Sequence, residues 1–194
     1  MHGLINRSIQ MFIRDTYGAG VWRDVAQEAD IDPAGFEAML SYDDGQTWAL
    51  LEAASQTLGR SPDCVLEDLG TYLVSHPGLE PVRRLLRFGG ASFVDFLHSL
   101  DELPDRVRLA VPQLDLPQLE LVPVDEACFR LECGRRLPGF AHVLVGLLRT
   151  MADDYGALVL LDRPAPGQDG DHVCIRLIDN GFAAGRSFQL AAGG

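Results

Sequence analysis

The chain has 194 residues, 47% hydrophobic and 23% charged, a balance that fits one globular domain with a buried core and excludes a disordered or fibrous polymer. A formal net charge of -12 argues against nucleic acid as a partner, which needs Lys and Arg clustered toward phosphates; the densest basic group, Arg83, Arg84 and Arg87, is expected to be solvated or paired with carboxylates. No run approaches the ~20 apolar residues of a membrane helix, and Cys64, Cys128, Cys133 and Cys174 show no CxxC spacing, so a cytoplasmic chain that does not enter a membrane is expected.

Residues 3 to 17 carry Leu4, Ile5, Ile9, Phe12 and Ile13 at helical spacing, with Gly18 and Gly20 as the stop. "VWRDVAQEA" predicts a second helix, and Asp32 with Pro33 opens a third over "PAGFEAMLSY". "DDGQTWALLEAASQTLGRSP" has a carboxylate start, an apolar stripe through Trp48, Leu51 and Leu58, and a closing glycine. Ser61 and Pro62 begin the next helix, which His76-Pro77-Gly78 ends. "EPVRRLLRFGG" is a short helix, and Phe93, Phe96, Leu97, Leu100 and Leu103 make one apolar face of the following one. Beyond Pro112 the texture becomes β-rich: "LELVPVD", "ACFRLECG" and "HVCIRLID" read as antiparallel strands, "ALVLLDR" pairs with the last of them, and a long helix covers "GFAHVLVGLLRTMADDYG". The fold class is α+β, with a helical N-terminal half, a C-terminal antiparallel sheet with packed helices, and a loose tail.

Chemistry-bearing motifs are sparse. There is no glycine-rich phosphate loop, HExxH or GxSxG, and an enzyme is not expected. The acidic pairs Asp43-Asp44, Asp101-Glu102 and Asp153-Asp154 are best explained by solvation or helix capping. His142 falls in the apolar run "FAHVLVGLL", where an imidazole needs a hydrogen-bond partner or a metal; His98 lies at the edge of an apolar helix face.

Three stretches nevertheless carry a resemblance: "MHGLINRSIQMFIRDTYGAGVW", "YDDGQTWALLEAASQTLGRSPDCVLEDLGTYLV" and "FVDFLHSLDELPDRVRLAVPQLDLPQLEL". Together they resemble the haem nitric oxide/oxygen-binding (H-NOX) domains, the sensor domains of soluble guanylate cyclases and their stand-alone bacterial relatives. The resemblance implies a single domain over residues 1–180, with a helical subdomain over about 1–65, a haem-type subdomain over about 66–180 and a tail at 181–194. It also implies haem as cofactor, nitric oxide or another diatomic gas as ligand, and a signalling partner such as a histidine kinase or a cyclic-di-GMP enzyme, with a homodimer as a further expectation.

The chain departs from that pattern where haem would be held. The iron-ligating histidine of the family's L-D-x-x-H run is replaced by Pro104 in "LDELP", with Pro117 following at the family's spacing. The Y-x-S-x-R clamp on the haem propionates falls on Leu131, Cys133 and Arg135, with Arg136 beside it, and only the arginine keeps its function. Ile5 and Pro117 are expected at the cofactor, and His98, His142 or the Cys133 thiolate are the substitute iron ligands. Two functions follow: a haem-based gas sensor with non-standard ligation, or a haem-free module of the same fold that binds a partner or another apolar ligand.

Overall fold

The computed structural model describes residues 1–167 and 170–185. Most of the tail expected from residue 181 lies outside the described residues; Ala183 N donates to Gly156 O at 3.1 Å. The chain divides into two compact units, Met1–Leu69 and Gly70–Gly194.

The first unit is helical: α1 (Gly3–Tyr17), α2 (Ala19–Glu28), α3 (Asp44–Leu58) and the start of α4 (Pro62–Ser75). Ile9, Phe12 and Ile13 are the buried stripe of α1, joined by Trp22 and Val25 of α2, as their three-to-four-residue spacing requires. Gly18, at φ 98°, ends α1, but Gly20 lies inside α2. Asp43 caps α3 by accepting from Gly45 N at 2.7 Å, and the left-handed Gly59 closes it. On α3 the buried residues are Thr47, Leu50, Leu51, Ala53 and Ala54, whereas Trp48, expected in the apolar stripe, is exposed.

No helix forms over residues 33–42. Gly35 stands at φ 88°, and the backbone groups a helix would pair internally are taken by side chains of α1 and α2. Trp22 Nε1 donates to Pro33 O at 2.9 Å, Arg7 to Phe36 O at 3.1 Å, and Gln10 accepts from Phe36 N at 3.1 Å. A helix-compatible pattern loses here to tertiary partners with equal hydrogen-bonding capacity.

The second unit contains the end of α4, α5 (Glu80–Arg87), α6 (Phe93–His98), a 3-10 turn at Ser99–Glu102, α7 (Leu103–Ala110), α8 (Phe140–Tyr155) and five strands. These are β1 (Leu119–Pro123), β2 (Cys128–Gly134), β3 (Leu158–Leu161), β4 (Ala165–Pro166) and β5 (Gly170–Asp179). The antiparallel sheet runs in the order β1-β2-β5-β3, with β4 on β5. The register pairs Leu131 with Val173 and Phe129 with Ile175, so one face of β2 and β5 is apolar and buried under α8. Gly70 permits the close approach of α4 to α8: a Cβ there would stand 2.0 Å from Val143 O. The architecture is α+β.

Candidate functional site

The stretch from Ser92 to Ala110 is built from local rules. Ser92 Oγ accepts from Asp95 N at 3.1 Å and the Asp95 carboxylate accepts from Ser92 N at 3.0 Å, a reciprocal cap that starts α6. Phe93, Phe96, Leu97, Leu100 and Leu103 are all buried in the core, as the apolar face predicts. The helix does not run on unbroken: α-helical bonding tightens to 3-10 over Ser99–Glu102, where Leu103 N donates to Leu100 O, and resumes in α7 with Pro104 in its first turn. Proline has no N–H to continue the ladder and its ring crowds the carbonyl four residues back, here that of Leu100.

Pro104 is buried. Its nitrogen is a tertiary amide nitrogen, with neither a proton to give nor a free lone pair for a metal. The segment around it is fastened by Asp101, which the sequence suggested was a solvated or helix-capping carboxylate, and by Arg106, which sequence reasoning passed over. Asp101 accepts from Leu121 N of β1 at 2.7 Å, so it serves a strand edge and not a helix end. Arg106 donates from Nη1 to Leu85 O (3.2 Å) and from Nη2 to Ser99 O (2.6 Å) and Ser99 Oγ (3.2 Å). Those carbonyls close the ends of α5 and α6, where helix dipoles favour a cation.

The remaining expected residues gather at the end of β2. Leu131 is wholly enclosed in the apolar core and Cys133 is buried beside it on the same strand face. Burial, with the Asp171 carboxylate adding to it, pushes the Cys133 thiol up to about 12, so the thiolate that would bind iron is strongly disfavoured near neutral pH. Pro117 is buried next to Gly134, whose N–H donates to Gln118 O at 2.9 Å. Arg135 Nη2 donates to Gly167 O at 3.4 Å, and Arg136 pairs with Asp115 at 2.5 Å. Cys133, Arg135, Leu137, Pro138, Ala141 and Asp171 line a cleft of about 340 Å³. Arg135 can hold a carboxylate there, but Leu131 and Cys133 supply no hydroxyl donors.

His98 is exposed on α6, its ring edge-on to Phe129 of β2 with centroids 6.1 Å apart. The 3-10 turn intervenes between it and Pro104, so the two do not share one continuous helix face. His142 is half-buried in the first turn of α8. Ile5 is half-buried on α1, in the first unit. Among the described residues no group of three or more His, Cys, Asp and Glu side chains is placed to hold a metal ion, and no helix is long and apolar enough to cross a membrane. Measured against haem, the residues present do not fit: the expected ligand position carries a buried proline, and the clamp keeps one side chain of three.

Of the acidic pairs read as solvated or capping, Asp43 caps as expected, but Asp154 does not conform. It is 1% exposed and accepts from Arg83 Nε at 2.6 Å, an ion pair between α5 and α8 across 71 residues of sequence.

The sequence profile described as Haem-NO-binding matches residues 2–161. The soluble guanylate cyclase 89Db of Drosophila melanogaster is 27% identical over 160 residues, covering 81% of this chain and 24% of that protein. The chain therefore spans about a quarter of the length of the curated relatives it matches. Among solved structures, the I5F mutant of the T. tengcongensis H-NOX superposes with a TM-score of 0.74 at 17% identity, covering 93% of this chain and 99% of that one. An oxygen-binding H-NOX domain related to soluble guanylate cyclases superposes with a TM-score of 0.66 at 17% identity over 96% and 100% of the two chains.

Proposed function

The chain belongs to the Haem-NO-binding family, a family of haem-based gas sensors, and from that premise we propose that it is a regulatory module of this fold that acts on a partner protein without an iron–histidine bond. The observation that carries this reading is Pro104, buried in the first turn of α7 at the place where the resemblance sets the ligand. The protonated Cys133 thiol and the single remaining arginine of the clamp support it. The partner classes that suit the reading are those the resemblance implies, a histidine kinase or a cyclic-di-GMP enzyme.

A second reading, haem held by another side chain and responding to nitric oxide, draws on His142, half-buried at the start of α8. One experiment separates the two. Purified chain is incubated with haem, passed over a desalting column and scanned for a Soret band, in parallel with His98→Ala and His142→Ala. The module reading expects no retained band in the parent; a band that survives desalting and disappears in either histidine variant overturns it.

A further inference from the structure

His2 occupies the N-cap position of α1, where Ser, Thr, Asp or Asn is the usual choice. Its Nδ1 accepts from Leu4 N at 3.2 Å, which requires the neutral ring with the proton on Nε2. Nε2 itself is buried and meets no protein acceptor. The backbone around it is tightly held: His2 bridges to Ser41, Gly3 N donates to Leu40 O at 2.7 Å, and Ile5 N donates to His2 O at 3.0 Å. A Cβ on Gly3 would stand 2.1 Å from Glu37 O, so the start of α1 is wedged against the turn over residues 37–42.

We propose that His2 is a proton-operated cap: the neutral ring holds the first turn of α1 closed, and protonation releases it. A proton on Nδ1 would point at the Leu4 N–H, donor against donor, and would put a positive ring at a helix N-terminus, where the dipole repels cations; the Nε2–H is without a protein acceptor in both forms of the ring.

The ionised groups that neighbouring segments bring to this corner do not relieve it. The Met1 amine, itself positive, is bonded to Tyr42 O at 2.6 Å and to Asp44 at 2.5 Å, so the Asp44 carboxylate is already engaged. Asp43 is committed to Gly45 N, and Glu37, in the facing turn, is exposed to solvent. Release of the cap would loosen Ile5, whose amide bonds to His2 O. His76 offers an internal contrast: its Nδ1 caps the 3-10 turn at Pro77–Leu79 by accepting from Gly78 N at 3.2 Å, in an exposed bond. The inference is independent of whether haem binds.

Amide exchange of Gly3, Leu4 and Ile5 is followed by NMR on the full chain at about pH 8 and about pH 5, as protection relative to an unstructured peptide. The parent chain is expected to lose protection on the order of tenfold at the lower pH, with Ile13 in the same helix unchanged. His2→Asn keeps a side-chain acceptor that does not titrate and is expected to hold its protection at both values; His2→Ala is expected to be weak at both. An acid-induced loss in His2→Asn equal to that of the parent, or no loss in the parent, overturns the proposal.

Discussion

Replacing Arg106 with alanine should cost roughly 3 kcal/mol of stability, and the figure can be built from its bonds. The guanidinium makes three hydrogen bonds to Leu85 O, Ser99 O and Ser99 Oγ, each worth about 1.5 kcal/mol at the low end for a charged donor. Against this, Nε is buried without a protein acceptor, a loss of about 1 to 2 kcal/mol that truncation relieves. Burial also pushes the guanidinium below its ordinary value, with Glu102 opposing the shift in part. Arg106→Lys should recover about half of the loss, because a single ammonium cannot span the ends of α5 and α6 as a fork does. Urea unfolding followed by far-UV circular dichroism gives the change from the midpoint at constant slope, and amide exchange over α5, α6 and α7 locates it. A loss below about 0.5 kcal/mol for Arg106→Ala, the range of an ordinary surface change, would refute the claim that this side chain holds the Pro104 segment in place.

Two further outcomes follow from protonation states. Of the four free cysteines, Cys64, Cys128 and Cys174 are half-exposed and Cys133 is buried, its thiol pushed up to about 12; alkylation at about pH 8 should label the first three and reach Cys133 only after denaturation, since the thiolate is the reactive species. Rapid labelling of all four would show that the end of β2 is open. At the start of α6, the Ser92 hydroxyl and amide hold the Asp95 carboxyl below its ordinary value, so the cap's contribution is present above the unfolded value near about 4 and is lost as the pH falls through the lower folded value. An Asp95 carboxyl that titrates identically by NMR in Ser92→Ala and in the parent would contradict the reciprocal cap.

Much of the fold was legible because its signals are local. The spacing of Ile9, Phe12 and Ile13, the caps at Asp43 and Gly59, and the alternation through Phe129, Leu131 and Cys133 each act within a few residues, and the elements they predict form. Residues 33–42 defeated the same rules, because Trp22, Arg7 and Gln10 supply backbone partners from other helices. Trp48 was misplaced for a related reason: apolar character alone does not say which side of α3 faces the core. At the candidate site, Pro104 and the buried apolar face before it were readable, while the roles of Asp101 and Arg106 were not.

The absence of an iron-ligating nitrogen at position 104 is a property of the sequence by itself, since the lone pair of a tertiary amide nitrogen is delocalised into its carbonyl in any fold. So is the break in helical bonding before it, because proline acts on the carbonyl four residues back. Tertiary structure alone decided that Asp154 is a buried ion-pair partner of Arg83 and not a solvated helix-end carboxylate. It alone decided that Arg106 closes two helix ends and that the second nitrogen of His2 is enclosed without an acceptor. Each of these depends on groups 20 or more residues apart meeting at hydrogen-bond distance or excluding water together. Periodicity and capping rules, which reach a turn or two along the chain, hold no information about such meetings.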